Sequence, residues 1–375
     1  METRALGGDM IADRVRLARR KSGLSLRGLS DAINGRVTAQ AIGKYERGES
    51  IPSSGVLIAL SRAMGVSVSY LMDTQDIEIQ GVEFRTKTNT TARDRANVET
   101  EVLEWIERYL QIEALLELES AQWQCPIKPP RELGQVHDAE RLAADAREKW
   151  RLGIDPIPNM TELLEEKGLK VLTVMLPDRV SGLTCLVRRS NGQTELPVVV
   201  ANDRFTLERR RFTLAHELAH RLINTDTLSD RYEEEAANIF AGAFLMPREH
   251  LLREVGKRRN ALGYKELIEL KHVYRVSGAA LLVRLWQLNV ISKSKLTYTY
   301  QTVARGWRTK EPEEIEPINQ RGQRERPARF ERLCYRALSE GLISLAKGTE
   351  LLRIPLPEVE AGLKGPQHGN APNSQ

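Results

Sequence analysis

The chain has 375 residues, 41% hydrophobic and 29% charged, which is enough for two or three domains with cores of their own. Its formal net charge of +5, from 56 Lys and Arg against 51 Asp and Glu, is too small by itself to establish a polyanionic partner. No apolar run approaches the roughly 18 residues of a membrane span, and Cys125, Cys185 and Cys334, odd in number, far apart and without a CxxC pair, indicate neither a disulfide framework nor a cysteine zinc site.

The amino-terminal stretch METRALGGDMIADRVRLARRKSGLS is charged and lacks the apolar centre of a secretion signal, so a cytoplasmic protein with no membrane partner is expected. Residues 1–75 hold eleven Lys and Arg against seven Asp and Glu, so most of the positive excess lies at this end. Short helices are predicted at 10–21, 25–33, 38–47, 52–64 and 67–72. Ser25 and Thr38 are good N-caps, Pro52 suits a first turn, and Gly23, Gly35, Gly48 and Gly65 supply reversals. Leu26, Leu29, Ile33, Ile42, Leu57, Leu60 and Leu71 fall at spacings that suit one small core.

A polar, threonine-rich connector is expected over 76–92, then a long amphipathic helix over 94–120 with Val98, Val102, Ile106, Tyr109, Ile112, Leu115 and Leu116 along its stripe. That stripe can pair two copies into a homodimer or pack on its own chain. Helices at 138–153 and 159–168 lead to a strand at 170–176, and strands at 182–189 and 195–202 flank an Asn191-Gly192 hairpin turn. Helices follow at 206–223, 231–245, 247–255, 264–272 and 277–289. Beyond them come a Tyr- and Thr-rich stretch, a charged proline-containing segment over 309–329, two short helices, and a final GPQHGNAPNSQ expected to be disordered.

Within the helix at 206–223, His216 and His220 stand four apart and therefore on one face, able to give two nitrogens to a tetrahedral zinc. Glu217 beside them can move a proton between an attacking water and a leaving amine. The alternative is an ordinary helix whose two imidazoles bond to nearby carboxylates. A catalytic zinc needs a third protein ligand and an open position, and YEEEAANIFAGAFLMP at 232–247 offers one. Glu234 shares its face with Ala237, Asn238, Ala241 and Leu245, where a second helix can come close, and is the preferred ligand. Glu233 is the second choice, and Glu235 follows Gly242. Three adjacent glutamates otherwise read as a solvated helix start.

RRRFTLAHELAHRL and EEAANIFAGAFLMP, preceded by PVVVAN and by AREKWRLGIDPIPNMTELLEEKGLKV, resemble the ImmA/IrrE metallopeptidases over roughly residues 138–290. The resemblance implies a minimal gluzincin-like fold in which His216, His220 and Glu234 hold zinc and Glu217 is catalytic, with Asn238 closing an E-x-x-x-N block. Ala236 stands where relatives often have a second glutamate. His250, just past the block, is a further candidate for steadying an oxyanion. The strand SGLTCLV, ending at Val187, is a candidate edge for an extended peptide or an ordinary core strand.

SLRGLSDAINGRVTAQAIGKYERGES resembles the helix-turn-helix of lambda-repressor/Cro-like regulators, over about residues 10–73. In such a motif the second helix enters the major groove, which makes Thr38, Gln40, Ala41 and Lys44 the candidate base readers and Arg27, Arg36 and Arg47 candidate phosphate contacts. Glu46 would brace the motif.

The expected architecture is mainly α with a small β-sheet (α+β): an all-α helix-turn-helix domain at 1–75, a linker and long helix at 76–137, a zinc peptidase domain at 138–290 and a helical tail at 291–375. The expected function is a transcription regulator that binds operator DNA and cuts a repressor- or antitoxin-like protein. A non-catalytic DNA-binding repressor or antitoxin, using the peptidase fold to bind protein, is the alternative.

Overall fold

Short helices closed by glycine reversals build the amino-terminal end of the chain: α1 (Thr3–Ser22), α2 (Leu26–Ala32), α3 (Ala39–Tyr45), α4 (Ser54–Met64) and α5 (Val68–Met72). The computed structural model describes residues 3–72, 77–83, 92–118, 122–178, 180–189, 195–224 and 229–365. Gly23, Gly35, Gly48 and Gly65 all take positive φ, which only glycine adopts without a steric cost. Ser25 and Thr38 cap α2 and α3 by accepting from the amides of Gly28 and Ala41. Leu29, Ile33, Ile42, Leu57, Leu60 and Leu71 form one buried cluster, with Leu26 packed against it.

The chain folds into two compact units. The first comprises residues 1–121, 186–196 and 328–375. Besides α1 to α5 it holds β1 (Ile77–Glu83) and α6 (Ala92–Leu115). A strand thus lies within the polar, threonine-rich connector expected here, because the alternation in IEI is too brief to stand out. Val98, Val102, Ile106, Tyr109 and Ile112 on α6 are buried, as is Leu116 just past its end, and the helix packs on α1 and on α15 (Arg329–Ser339). The stripe therefore packs on its own chain, and only Leu115 is left exposed. Three buried acids on α6 each meet an arginine from another element: Glu107 meets Arg14, Glu113 meets Arg329 at 2.5 Å and Glu104 meets Arg353 at 2.6 Å. With α16 (Leu345–Leu352) and α17 (Leu356–Lys364), α15 makes the tail part of this unit.

The second unit comprises residues 122–185 and 197–327. It holds α7 (Asp138–Lys149), α8 (Met160–Glu166), β2 (Lys170–Val174), then β3 (Gly182–Arg189) and β4 (Glu195–Asn202), whose outer ends, 186–196, count with the first unit. β2 runs parallel to β4, Lys170 beside Val198 and Val174 beside Asn202, whereas the bond from Asn202 N to Ser181 O sets β3 antiparallel to β4. Strand order is β1-β3-β4-β2, so the outer end of β3 is flanked on both sides and is not an open edge. The Asn191-Gly192 turn and residues 366–375 lie outside the described residues.

Helices α9 (Leu207–Leu222), α10 (Asp230–Leu245), α11 (Arg248–Val255), α12 (Tyr264–Tyr274), α13 (Gly278–Gln287) and α14 (Lys293–Gln301) complete this unit. α14 takes up the Tyr- and Thr-rich stretch after Asn289: Ser292 caps it, and the hydroxyls of Thr297 and Thr299 are satisfied by carbonyls four residues earlier. The unit is wider than the 138–290 segment. Ile127 and Leu133 join its core, and residues 311–325 form a strap of glutamates over the start of α9.

That strap fixes the helix carrying the histidines. Arg210 meets Glu316 at 2.7 Å and Arg211 meets Glu325 at 2.5 Å. Glu208 meets Lys271 at 2.7 Å, and the same ammonium donates to the carbonyls of Pro312 and Glu313 and lies 3.3 Å from Glu311. Thr206 caps α9 by accepting from Arg209 N, and its far end stops where Arg131 N donates to Leu222 O and Asn224 N to Arg131 O. No helix among the described residues is long and apolar enough to cross a membrane.

Candidate functional site

α10 packs along α9 and α7, and the small side chains of its buried Ala236, Ala237 and Ala241 leave room for neighbouring helices to come close. This contact brings the second turn of α10 to the His216-Glu217-Leu218-Ala219-His220 turn of α9. One ligating atom from each of His216, His220 and Glu234 falls within 4.8 Å of the others. The two Nε2 atoms are 3.0 Å apart, Glu234 Oε2 lies 3.5 Å from His216 Nε2, and Glu234 Oε1 lies 3.9 Å from His220 Nε2.

The far side of each ring is held. His216 Nδ1 lies 3.1 Å from Asn238 Oδ1 and His220 Nδ1 lies 2.9 Å from Glu233 Oε1. A carbonyl oxygen and an ionised carboxylate only accept, so both Nδ1 atoms carry hydrogens and both Nε2 atoms present lone pairs to one another. Two lone pairs at that separation require a cation or a proton between them. Burial opposes a charge on His216, but the bond to Glu234, the charges of Glu217 and Glu234 and the bond to Asn238 outweigh it and raise the pKa of that imidazole.

The donor set also fits zinc in size. Bonds of about 2.0–2.1 Å at tetrahedral angles separate ligand atoms by about 3.3 Å, and the three separations bracket that value. Two imidazole nitrogens and one carboxylate leave a fourth position open, as a catalytic ion requires. Glu217 is buried on the same turn of α9.

Three other candidate residues lie nearby or just beyond. Glu233 is buried against His220 rather than solvated, and acts from the far side of the ring; Glu235 is exposed. The bonding roles of Glu233 and Asn238 could have been sought from the need of each Nδ1 for an acceptor, on residues one before and four after Glu234. His250 pairs its Nδ1 with the hydroxyl of Tyr274 at 2.7 Å and stands outside the three-residue group.

In the first unit Gln40 and Lys44 are exposed on α3, Ala41 is half-buried, and the Thr38 hydroxyl caps the helix. Arg27 on α2 and Arg36 in the turn before α3 are exposed. Glu46 is clamped by Arg19 through two bonds of 2.5 and 2.9 Å, which ties α3 to α1; the bond to Glu46 also raises the pKa of Arg19 against the effect of burial. Arg47 is exposed but paired with Glu49 at 2.5 and 3.1 Å. A phosphate would have to displace that carboxylate, which in so exposed a pair is weakly held against water and salt.

Residues 165–285 match the peptidase family described as the IrrE N-terminal-like domain, and residues 15–71 match the family described as helix-turn-helix. The helix-turn-helix match covers α2 and α3, and the peptidase-family match spans α9 and α10 with all three members of the histidine and glutamate cluster. A search of curated proteins found no match.

Proposed function

We propose that this chain, which joins an IrrE N-terminal-like peptidase domain to a helix-turn-helix, is a zinc-dependent endopeptidase that regulates transcription by cutting a repressor- or antitoxin-like protein. The observation that carries the reading is the pair of imidazole Nε2 atoms 3.0 Å apart, each ring bonded from behind, with the Glu234 carboxylate at 3.5 and 3.9 Å. His216, His220 and Glu234 would hold the zinc, which when bound supplies a Lewis acid that polarises a carbonyl and makes water acidic near neutral pH. Glu217 takes the proton of the attacking water and delivers it to the leaving amine. Asn238 and Glu233 fix the tautomer and direction of the two rings. The setting that fits such a chain is a bacterial or phage stress-response or toxin-antitoxin locus in the cytoplasm.

Glu217→Gln tests the chemistry. It keeps the shape of the side chain and removes its base, so zinc content should equal wild type while cleavage of candidate repressor proteins falls by about 10²–10⁴-fold. Wild-type protein that holds one zinc and cuts none of its candidate partners, while still binding its operator, would favour the non-catalytic repressor instead.

For the first unit, α3 would read an operator through Gln40 and Lys44, with Thr38 and Ala41 beside them, while Arg27, Arg36 and Arg47 contact phosphates. Gln40→Ala is expected to weaken binding by about 1–3 kcal/mol at its preferred base pair and to relax selection there. Arg36→Ala should weaken all sequences alike and flatten the salt dependence. Band-shift titrations at two salt concentrations on the promoter of the chain's own locus separate the two effects. Equal losses for both variants on every sequence would refute the assignment of Gln40.

A further inference from the structure

Near its start α9 carries four consecutive charged residues, 208–211, and three of them are satisfied within the unit: Glu208 by Lys271, Arg210 by Glu316 and Arg211 by Glu325. Arg209 differs. It is exposed and meets no carboxylate among the described residues. Its guanidinium lies 3.6 Å from the centroid of the Phe205 ring, and its Nη2 donates to Ser181 Oγ at 2.8 Å. A stacked, hydrogen-bonded arginine has lost much of its rotamer freedom before any ligand arrives, so binding a carboxylate costs less ordering than it would for a free side chain.

Its position on the helix gives this cation a role. At about 100° per residue, Arg209, Thr213, His216 and His220 fall within a band about 60° wide, whereas Glu208, Arg210 and Arg211 point to the other sides. The start of β3 follows the same band: a Cβ on Gly182 would lie 2.4 Å from Thr213 Cγ2, and Ser181, the residue before it, holds Arg209. Seven residues at about 1.5 Å each set Arg209 about 10 Å from His216 along the axis, which is about three residues of extended peptide at about 3.3 Å each.

We propose that Arg209 selects the substrate, binding a carboxylate of the peptide about three residues from the bond cut at the His216, His220 and Glu234 cluster. The assignment rests on the peptidase reading and adds to it a substrate class, acidic peptides. A planar guanidinium with no internal acid partner can take a carboxylate through two parallel bonds. The carboxylate can belong to an aspartate or glutamate side chain or to a peptide's own carboxy terminus.

The test uses the zinc-loaded full chain and two pools of mixed-sequence peptides, one blocked at both ends and one with free carboxy termini, with cut positions read by mass spectrometry. In the blocked pool wild type should favour Asp or Glu about three positions from the cut by about fivefold, the scale of one partly exposed ion pair. Arg209→Gln should erase that preference, and Arg209→Glu should replace it with Lys or Arg, both at wild-type zinc content. A preference confined to the free-ended pool assigns the carboxylate to the chain terminus. As a readout without turnover, labelled peptides differing only by Asp or Asn at that position should bind the Glu217→Gln chain unequally, and the difference should vanish when Arg209→Gln is added. Cleavage with the same neutral profile in all three proteins overturns the proposal and leaves the peptidase standing. A zinc-loaded wild type that neither cuts nor binds any peptide overturns both.

Discussion

Replacing Glu234 by alanine is expected to lower zinc affinity by more than the roughly 10- to 100-fold that follows loss of a residue which only orients a ligand. The comparison is internal to one short stretch of α10. Glu234 points a carboxylate at both Nε2 atoms, at 3.5 and 3.9 Å, and its removal leaves two imidazoles with no third donor. Glu233 touches only the Nδ1 side of His220, at 2.9 Å, so Glu233→Leu should fall in the 10- to 100-fold range. Glu233→Gln should fall below it, because an amide oxygen still accepts from that ring. Glu235 is exposed, and Glu235→Ala should bind zinc as wild type does. Competition against a chromophoric chelator at fixed pH ranks the four variants. An unchanged affinity for Glu234→Ala, or a larger loss for Glu233→Leu, would remove Glu234 from the ligand set.

The part of this centre that could be read from the sequence is the part set by one helix at a time. Spacing puts His216 and His220 on one face whatever surrounds them, and counting faces along α10 distinguishes Glu234 from its neighbours. The role of Glu233 could not be read this way. A glutamate in the first turn of a helix is equally at home in water, and only the packing of α10 on α9 turns it toward an imidazole. The structure places Glu46 in the bracing position expected for it, since its partner Arg19 lies within the same small helical cluster.

Longer-range pairings left less trace. Glu316 and Glu325 find Arg210 and Arg211 across more than a hundred residues, and a charged segment with prolines looks the same in sequence whether it is solvated or closes over a helix. The two short helices expected near the end likewise gave no sign of what they pack against. The tail's arginines settle on α6, in the unit of the helix-turn-helix, through Glu113 and Glu104. β1 was hidden for a different reason: three alternating residues at the start of a polar stretch are too few to separate a strand from a connector.

The strap supplies the largest expected effect on stability. Lys271→Met would leave Glu208, fully buried, without its cation and would set the nearby Glu311 carboxylate against it. Breaking a buried pair from one side costs about 3–5 kcal/mol, and the loss should be felt at the first turn of α9, where Glu208 also accepts from Ile315 N. The pH dependence has a defined sign. Burial, reinforced by the charge of Glu208, raises the pKa of Glu311 to about 7 from its usual 4.5, against the lowering effects of the Gly278 amide and Lys271. A carboxyl that keeps its proton longer when folded adds stability that is complete below about 4.5 and is lost as pH rises through about 7. Without the ammonium, Glu311 loses a partner that favours its charged form and should hold its proton to higher pH still, so the deficit of Lys271→Met should be larger at pH 8 than at pH 5.5. Adding Glu208→Gln and Glu311→Gln should recover most of it, because a neutral cluster no longer needs a cation. Denaturant melts of the single and triple variants at both pH values decide the matter. A Lys271→Met chain within about 1 kcal/mol of wild type at pH 8 would mean that water, and not the lysine, balances those two acids.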